Sequence, residues 1–184
     1  TAVARTTREW IEIVERDYNH PSICVWVPMN ESWGAPHMAH DPQQQAYGLS
    51  LYHLLKGLDA TRLVVSNDGW DLTRTDICAV HNYNHGGKDE PDQYVRFCRA
   101  VGEKEDILRE IPAGHSIYAR GYAHRGEPIL ITECGGIAFD AEHPDGWGYT
   151  RAASPEEFLE QYRRVISAIL SSPSVAGFCY TQLT

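Results

Sequence analysis

Polar and aromatic residues come directly after each short apolar run of this 184-residue sequence. In parallel α/β architectures, ligands bind beyond the carboxyl ends of the strands, so chemistry is expected at these positions. Carboxyl groups, amides that bind hydroxyls and flat rings that cover a pyranose face together suit a sugar substrate. The residues are Asn30, Glu31 and Trp33, then Asn67, Asp68 and Trp70, then His81, Asn82 and Tyr83, then Glu133, and finally Tyr180 and Gln182.

Two of these residues, Glu31 and Glu133, form a candidate catalytic pair. Hydrolysis of a glycosidic bond with retention needs one carboxylate to attack the anomeric carbon and one carboxylic acid to protonate the departing oxygen. The two carboxyl groups are then about 5 to 5.5 Å apart. Residues distant in sequence can reach this separation when each follows a strand of one barrel. Glu31 and Glu133 both follow apolar runs and therefore qualify.

The elements that must position these residues alternate between helix and strand. Helical spacing of apolar residues predicts helices over 3–17, 43–58, 91–110 and 155–172, and Ser154 is the expected N-cap of the last, with Pro155 in its first turn. Short runs rich in Ile and Val predict strands over 23–27, 63–65, 77–80, 129–132 and 175–180. Because no hairpin is indicated, the fold class is α/β with parallel strands, in an open sheet or a barrel. The polar segments 84–90 and 140–154 follow strands and are the expected active-site loops.

Four segments resemble the signatures of glycoside hydrolase family 2. RDYNHPSICVWVPMNES resembles the acid/base motif, in which Asn-His-Pro-Ser precedes a strand that ends in Asn-Glu. ILITECGG resembles the nucleophile strand, and VHNY resembles the strand whose tyrosine holds the nucleophile. GFCYTQLT is similar to the last barrel strand. The four matches occur in the family's order and span nearly the whole chain.

The resemblance implies a role for each matching residue. Glu31 would be the acid/base and Glu133 the nucleophile, with Tyr83 as the hydrogen-bond partner of Glu133. Asn30 would contact the sugar 2-hydroxyl, and Tyr180 would lie under the sugar ring. Residues 1–184 would be part of a TIM-barrel catalytic domain, with strands equivalent to the fourth to eighth of a (β/α)8 barrel. The first three strands are absent, so the isolated chain could be an incomplete barrel.

Four further residues are candidates for substrate binding, each with a structural alternative. Trp33 and Trp147 could be sugar platforms or loop anchors. Asp68 could bind a hydroxyl or be exposed to solvent, and His81 could contact substrate or be a residue at the edge of the core. No cofactor is expected. His37 and His40, like His81 and His85, have spacings that align on a helix, but no helix is predicted at either place, so no metal site is assigned.

The expected function is a retaining exo-β-glycosidase, with β-galactosidase first by family frequency and β-glucuronidase or β-mannosidase as the alternative. A glucuronidase should present a basic residue near the nucleophile loop, and the family's Asn-x-Lys motif is not found between Glu133 and Pro155. The rival from another class is a sugar-binding domain or an inactive barrel fragment. Five barrel strands leave two unpaired sheet edges, which a homo-oligomer could cover.

Composition narrows the class of partner and the compartment. A net charge of −9 disfavours a nucleic-acid partner, and no apolar run approaches the ~20 residues of a membrane helix. The five cysteines include no CxxC pair, which predicts buried reduced thiols, a reducing compartment and a cytoplasmic protein. Both ends of the sequence lie within a helical or strand-like pattern, so we expect a longer parent protein whose targeting signal could be missing here.

Overall fold

The computed structural model describes residues 1–139 and 146–182 of the chain. Within them the helices are α1 (Ala2–Asp17), α2 (Pro42–Leu58), α3 (Pro91–Ala100), α4 (Lys104–Ile107) and α5 (Pro155–Leu170). The strands are β1 (Val25–Trp26), β2 (Leu63–Val64), β3 (Cys78–Asn82), β4 (Ile129–Gly135), β5 (Ile137–Ala138), β6 (Thr150–Arg151) and β7 (Val175–Thr181). None of the helices in these ranges has the length and apolar character needed to cross a membrane.

The strands pair side by side in three small sheets. β1 pairs with β2, β5 pairs with β6, and the third sheet has the order β3-β4-β7. The β1–β2, β4–β7 and β5–β6 pairs are all parallel, with Val25 opposite Leu63 and Ile129 opposite Val175. The predicted parallel pairing is therefore confirmed for β1–β2 and β4–β7, whereas the β5–β6 pair was not predicted.

The described residues fall into two compact units. The first contains residues 1–79 and 111–128, and the second contains residues 80–110 together with the described part of 129–184. The boundary falls inside β3. Each unit holds one of the two candidate carboxylates.

The core of the first unit lies between α1, α2 and the β1–β2 pair. Val14 of α1 and Leu55 of α2 are almost fully buried and belong to one cluster with Trp26 and Val64 of the two strands. The ring of Trp10 meets Trp26 edge to face, with the centroids 6.4 Å apart. This packing fixes β1 and β2, whose carboxyl ends lead directly to the polar residues of interest.

A buried ion pair anchors the Asn-His-Pro-Ser turn that precedes β1. Asp59, which is 1% exposed, accepts hydrogen bonds from Trp26 Nε1 at 3.0 Å and from Arg62 Nη1 at 2.7 Å. The Arg62 guanidinium also donates to the carbonyl oxygens of Tyr18, His20 and Ile23. The motif is therefore tied to α2 and β2 through one arginine and one aspartate.

In the second unit, α5 packs on β4 and β7 and also contacts α3. Ser154 is the N-cap of α5, as predicted, and its hydroxyl accepts a hydrogen bond from the Glu157 amide at 3.2 Å. The Tyr94 hydroxyl of α3 donates to the Arg164 carbonyl of α5 at 3.0 Å. Val165 and Ile169 of α5 are buried, at 1% exposure each.

The structure corrects three predictions. The single helix predicted over 91–110 is two helices, because Val101 has non-helical dihedral angles and Gly102, a poor helix former, follows it. β6 lies within the segment 140–154 that was predicted as a loop. Like β5, it has only two residues and no hydrophobic pattern that would predict a strand. Burial is confirmed for Cys78 and Cys134 but is wrong for Cys24 and Cys179, which are exposed free thiols.

Candidate active site

The candidate residues form two clusters, one in each unit. The Glu31 cluster contains Asn30, Glu31, Ser32 and Trp33 with Asn67 and Asp68, and the Glu133 cluster contains His81, Tyr83, Glu133 and Tyr180 with Trp147 and Tyr149.

The backbone of the Glu31 cluster extends the β1–β2 pairing by a few residues. Asn30 forms an isolated parallel bridge with Asp68. The Glu31 amide donates to the Asp68 carbonyl at 2.9 Å, and the Asp68 amide donates to the Met29 carbonyl at 2.8 Å. Asn30, Glu31 and Asp68 therefore lie at the carboxyl ends of two paired strands, as predicted from the sequence.

Buried polar side chains lie beneath Glu31. Ser32 is 3% exposed, and Asn67 and Asp71 are fully buried. Asn67 Oδ1 accepts from the Ser32 amide at 2.9 Å, and the Ser32 hydroxyl donates to Asp71 Oδ2 at 2.9 Å. His115, distant in sequence, places its Nδ1 2.8 Å from the same Asp71 oxygen. Asn67 was among the residues expected from the sequence, whereas Ser32, Asp71 and His115 were not.

Only part of this cluster carried a sequence signal. Ser32 directly follows Glu31, and Asp71 lies four residues after Asn67, so both could have been identified from their position in the sequence. His115 follows no strand and lies in a segment without periodicity, so only tertiary structure identifies it.

In the Glu133 cluster, His81 of β3 and Tyr83, which directly follows β3, both face one carboxylate oxygen of Glu133. The Tyr83 hydroxyl donates to Glu133 Oε2 at 2.5 Å, and His81 Nδ1 lies 3.3 Å from the same atom. His81 is buried, while the Glu133 side chain remains 26% exposed. Because β3 and β4 are neighbours in the sheet, residues fifty positions apart along the chain meet at their ends.

The electrostatic surroundings of Tyr83 keep it a hydrogen-bond donor. Burial, and then the hydrogen bond to Glu133, raise the pKa of the Tyr83 phenol far above its usual value. The phenol therefore keeps its proton over the whole range in which enzymes work. It can donate to the carboxylate throughout.

Two consecutive glycines shape the chain after Glu133. Gly135 and Gly136 have φ angles of +95° and +64°, and a Cβ on Gly135 would overlap the ring of Tyr180. His85 Nε2 lies 2.7 Å from the Gly135 carbonyl oxygen. Tyr180 is half-buried and meets Tyr162 edge to face at 4.9 Å, and burial is the main reason that its pKa is raised to about 12.

An aromatic pocket adjoins the Tyr83 ring. Tyr149 stacks on Tyr83 with the ring centroids 4.0 Å apart and an interplanar angle of 10°, and Trp147 meets Tyr149 at 4.9 Å. Together with Gly136 and Thr181 these rings line a cavity of about 280 Å³. Tyr149 was not predicted, because the β5–β6 pairing that carries it has no sequence signature.

The remaining candidates differ in exposure. Trp33 and Trp147 are 76% and 80% exposed, so their rings are open to solvent. Trp70 is buried and stacks on His115 at 5.0 Å, as a loop anchor does. Of the expected loops, 84–90 is confirmed as turns and irregular structure, whereas 140–145 lie outside the described residues.

Comparison with known proteins places the chain in a family. Residues 4–110 match the model "Glycosyl hydrolases family 2, TIM barrel domain", which is more than half of the chain. The chain therefore belongs to glycosyl hydrolase family 2, and its α/β fold is part of that family's TIM barrel. This confirms the resemblance and the fold class inferred from the four motifs.

The individual relatives are larger than this chain. It is 27% identical over 161 residues to the β-glucuronidase of Mus musculus, and the match covers 84% of this chain and 21% of the mouse protein. Its fold is similar to that of a Faecalibacterium prausnitzii β-glucuronidase, with a TM-score of 0.64, 22% identity and coverage of 98% and 28% of the two chains. An Eisenbergiella tayi family 2 β-galacturonidase is similar with a TM-score of 0.56, 19% identity and coverage of 94% and 28%. The chain thus spans between a fifth and a third of each relative.

Proposed function

We propose that the protein is a retaining exo-β-glycosidase that cleaves terminal β-D-glucuronides. The observation that carries the proposal is the carboxylate of Glu133, which lies near the carboxyl end of β4 in a family 2 barrel segment and is held by the Tyr83 hydroxyl. A carboxylate that is oriented by a phenol and stays accessible to solvent is suited to nucleophilic attack.

In the proposed reaction, Glu133 attacks the anomeric carbon while Glu31 protonates the departing glycosidic oxygen. The bond from the anomeric carbon to the leaving oxygen breaks as the bond to the Glu133 oxygen forms. Glu31, now ionised, then removes a proton from water, which displaces Glu133 and restores both residues. Two inversions give a product with the β configuration of the substrate.

The contacts of Glu133 assign separate tasks to its two oxygens. Tyr83 and His81 both face Oε2, so we assign Oε1 as the attacking atom. The Tyr83 phenol donates a hydrogen bond to this carboxylate without giving up its proton. Asn30, Asp68, Trp33, Trp147 and Tyr180 remain candidates for binding the sugar.

The relatives favour the alternative expected from the sequence, β-glucuronidase, over the first expectation of β-galactosidase. The mouse relative and the F. prausnitzii structure are both β-glucuronidases. The missing Asn-x-Lys motif between Glu133 and Pro155 carries little weight against this, because the chain covers 21% of the mouse protein and a cation for the substrate carboxylate can lie elsewhere. The E. tayi enzyme makes β-D-galacturonide the second substrate to test.

The test is hydrolysis of a panel of p-nitrophenyl glycosides by the full-length protein. The panel contains the β-D-glucuronide, β-D-galacturonide, β-D-galactoside and β-D-mannoside, and the α-D-glucuronide as the stereochemical control. We expect the highest kcat/KM for the β-D-glucuronide and no turnover of the α-anomer. A preference for the neutral galactoside would overturn the assignment of the sugar while leaving the mechanism intact.

Azide rescue separates the roles of the two glutamates. In Glu133→Gly, azide should attack an activated β-glycoside directly and yield the α-glycosyl azide. In Glu31→Ala, azide should attack the covalent intermediate and yield the β-glycosyl azide. Loss of turnover in Glu133→Gly that azide does not restore, with sugar binding intact, would count against the nucleophile role.

A further inference from the structure

The backbone at Glu31 has an unusual conformation that needs support. Glu31 and Ser32 have φ angles of +51° and +57°, in the left-handed region that side-chain-bearing residues rarely adopt. This conformation is unfavourable for a residue with a Cβ atom, so the surrounding structure must hold it. The contacts that do so lie on the Ser32 side.

Ser32 is held at two points by buried side chains. Its amide donates to Asn67 Oδ1 at 2.9 Å, and its hydroxyl accepts from Asn67 Nδ2 at 3.0 Å. The same hydroxyl donates to Asp71 Oδ2 at 2.9 Å. Asn67 Nδ2 also donates to the Trp70 carbonyl at 2.6 Å, so its orientation is fixed. Ser32 therefore has little freedom to rotate its backbone or its side chain.

Asp71 is the centre of this network. It is fully buried, and with a φ of +48° it is the third residue of this network, after Glu31 and Ser32, in the left-handed conformation. Oδ2 accepts from both Ser32 and His115, whereas Oδ1 is buried with no hydrogen-bond partner among the described residues. A buried carboxylate is costly unless donors compensate it, so the arrangement is a specialised one.

The far side of Asp71 is fixed by His115. The Nδ1 of His115 lies 2.8 Å from Asp71 Oδ2, and because a carboxylate only accepts, this nitrogen carries a proton. The imidazole stacks on the Trp70 ring at 5.0 Å with an interplanar angle of 11°. The Asp71 amide also donates to the Ser116 carbonyl at 2.9 Å. Asp71 is thus anchored to the 111–128 segment by its side chain and its backbone.

We propose that Asp71, supported by His115, is a positioning residue that acts through Ser32 to hold Glu31 in the conformation that general-acid catalysis needs. The inference rests on the proposed role of Glu31. Asp71 does not touch the substrate in this scheme. Its contribution is to keep the left-handed Glu31–Ser32 pair in place.

The test is the dependence of kcat/KM on the leaving group for the Asp71→Asn variant of the full-length protein. An aryl β-D-glucuronide with a strongly acidic phenol, such as 2,4-dinitrophenol, leaves without acid assistance, whereas an alkyl β-D-glucuronide requires it. General-acid catalysis contributes about 10²- to 10⁴-fold, and we expect the variant to lose about ten- to a hundredfold on the alkyl substrate. On the dinitrophenyl substrate it should stay within about threefold of the wild type, because that reaction needs no general acid.

The matched control is Asp76→Asn in the same unit. Asp76 accepts from the Tyr52 hydroxyl at 2.7 Å, from Lys56 at 3.1 Å and from the Val64 amide at 2.9 Å, and these three residues lie outside the Glu31 cluster. This variant should show the wild-type dependence on the leaving group even if it is less stable. An equal loss on both substrates in Asp71→Asn would mean a merely structural role and would overturn the proposal.

A crystal structure of Asp71→Asn provides a readout that does not depend on activity. We expect the Glu31 and Ser32 backbones to leave the left-handed region or the Glu31 side chain to adopt several conformers. An unchanged Glu31 would overturn the positioning role. If instead the wild type cleaves no β-glycoside, the proposed function fails, and the crystal structure still decides whether Asp71 controls the conformation of Glu31.

Discussion

At the scale of single residues, the most informative contact is the one between Tyr83 and Glu133. It joins a phenol whose pKa is raised to a carboxylate that stays partly open to solvent. In the proposed reaction, the phenol would stabilise the carboxylate before attack and would donate to the same oxygen when the covalent bond breaks again. His81 supports the same oxygen from a buried position.

Replacement of this phenol measures the contribution of the contact. A hydrogen bond to a charged group is worth about 1.5–3 kcal/mol, so Tyr83→Phe should lower kcat/KM for p-nitrophenyl β-D-glucuronide by about ten- to a hundredfold. The ring and its stack on Tyr149 remain, so KM should change much less than kcat. Steady-state kinetics with the full-length protein decide the result.

The control for this substitution is Tyr94→Phe. It also removes a phenol that donates a hydrogen bond, in this case to the Arg164 carbonyl, without contact to a carboxylate of the site. Wild-type kcat/KM is expected. If Tyr83→Phe behaved like Tyr94→Phe, the orienting role of Tyr83 would be wrong.

At the scale of elements, the Asp59–Arg62 pair connects α2, β2 and the turn before β1. Burial by itself would raise the pKa of Asp59, but the hydrogen bonds from Thr61, Arg62 and Trp26 outweigh it and hold the pKa well below its usual range. A carboxylate whose pKa is lowered by folding stabilises the folded state above its unfolded pKa. That stabilisation is lost as the pH falls through the lower, folded pKa.

Removal of this carboxylate should destabilise the fold in a way that depends on pH. Asp59→Asn leaves Arg62 without its charged partner, and we expect the free energy of unfolding at about pH 7 to fall by about 3 kcal/mol. The difference between wild type and variant should shrink when the pH falls well below about 4, where the unfolded carboxyl is protonated. Urea unfolding followed by circular dichroism at several pH values gives both quantities.

The comparison for Asp59→Asn is Asp17→Asn. Asp17 pairs with Arg16 at 2.6 Å on the exposed surface of α1, where solvent screens the charges. Little change in stability is expected at any pH. A similar effect of the two substitutions would contradict the special role of the buried pair.

At the scale of the whole molecule, the exposed edge of the β3-β4-β7 sheet is the feature with the largest consequence. In the part of the chain that the structure describes, β7 pairs with β4 and ends the sheet, and Phe178 on β7 is 36% exposed. Unpaired strand edges are templates for association with other chains. This supports the expectation that a homo-oligomer, or further strands, would cover such an edge.

Residues 1–184 produced alone should therefore self-associate and lack turnover of p-nitrophenyl β-D-glucuronide. Size-exclusion chromatography with light scattering, combined with an activity assay on each fraction, measures both properties. Phe178→Lys should reduce the association, because a charge on an edge strand opposes pairing. A monodisperse monomer with turnover would contradict the prediction and the inactive-fragment hypothesis together.

The sequence by itself determined the parallel α/β elements and the residues that end the strands. Apolar runs fixed the positions of β1, β2, β3, β4 and β7, and Ser154 with Pro155 fixed the start of α5, because these signals are local. Glu31, Glu133 and Tyr83 followed from position and motif together. The helix predicted over 91–110 was wrong in one respect, since the break at Gly102 depends on one residue within a long periodic segment.

Tertiary structure alone decided which side chains beyond Tyr83 support the two glutamates and the residues around them. Tyr149 reaches Tyr83 through the two-residue β5–β6 pairing, and His115 reaches Asp71 from a segment more than forty residues away. Neither contact has a local pattern, because hydrogen bonds and ring stacks between distant segments leave no periodicity in the sequence. Local chemistry therefore identified the glutamates, and the folding of distant segments supplied the groups that hold them.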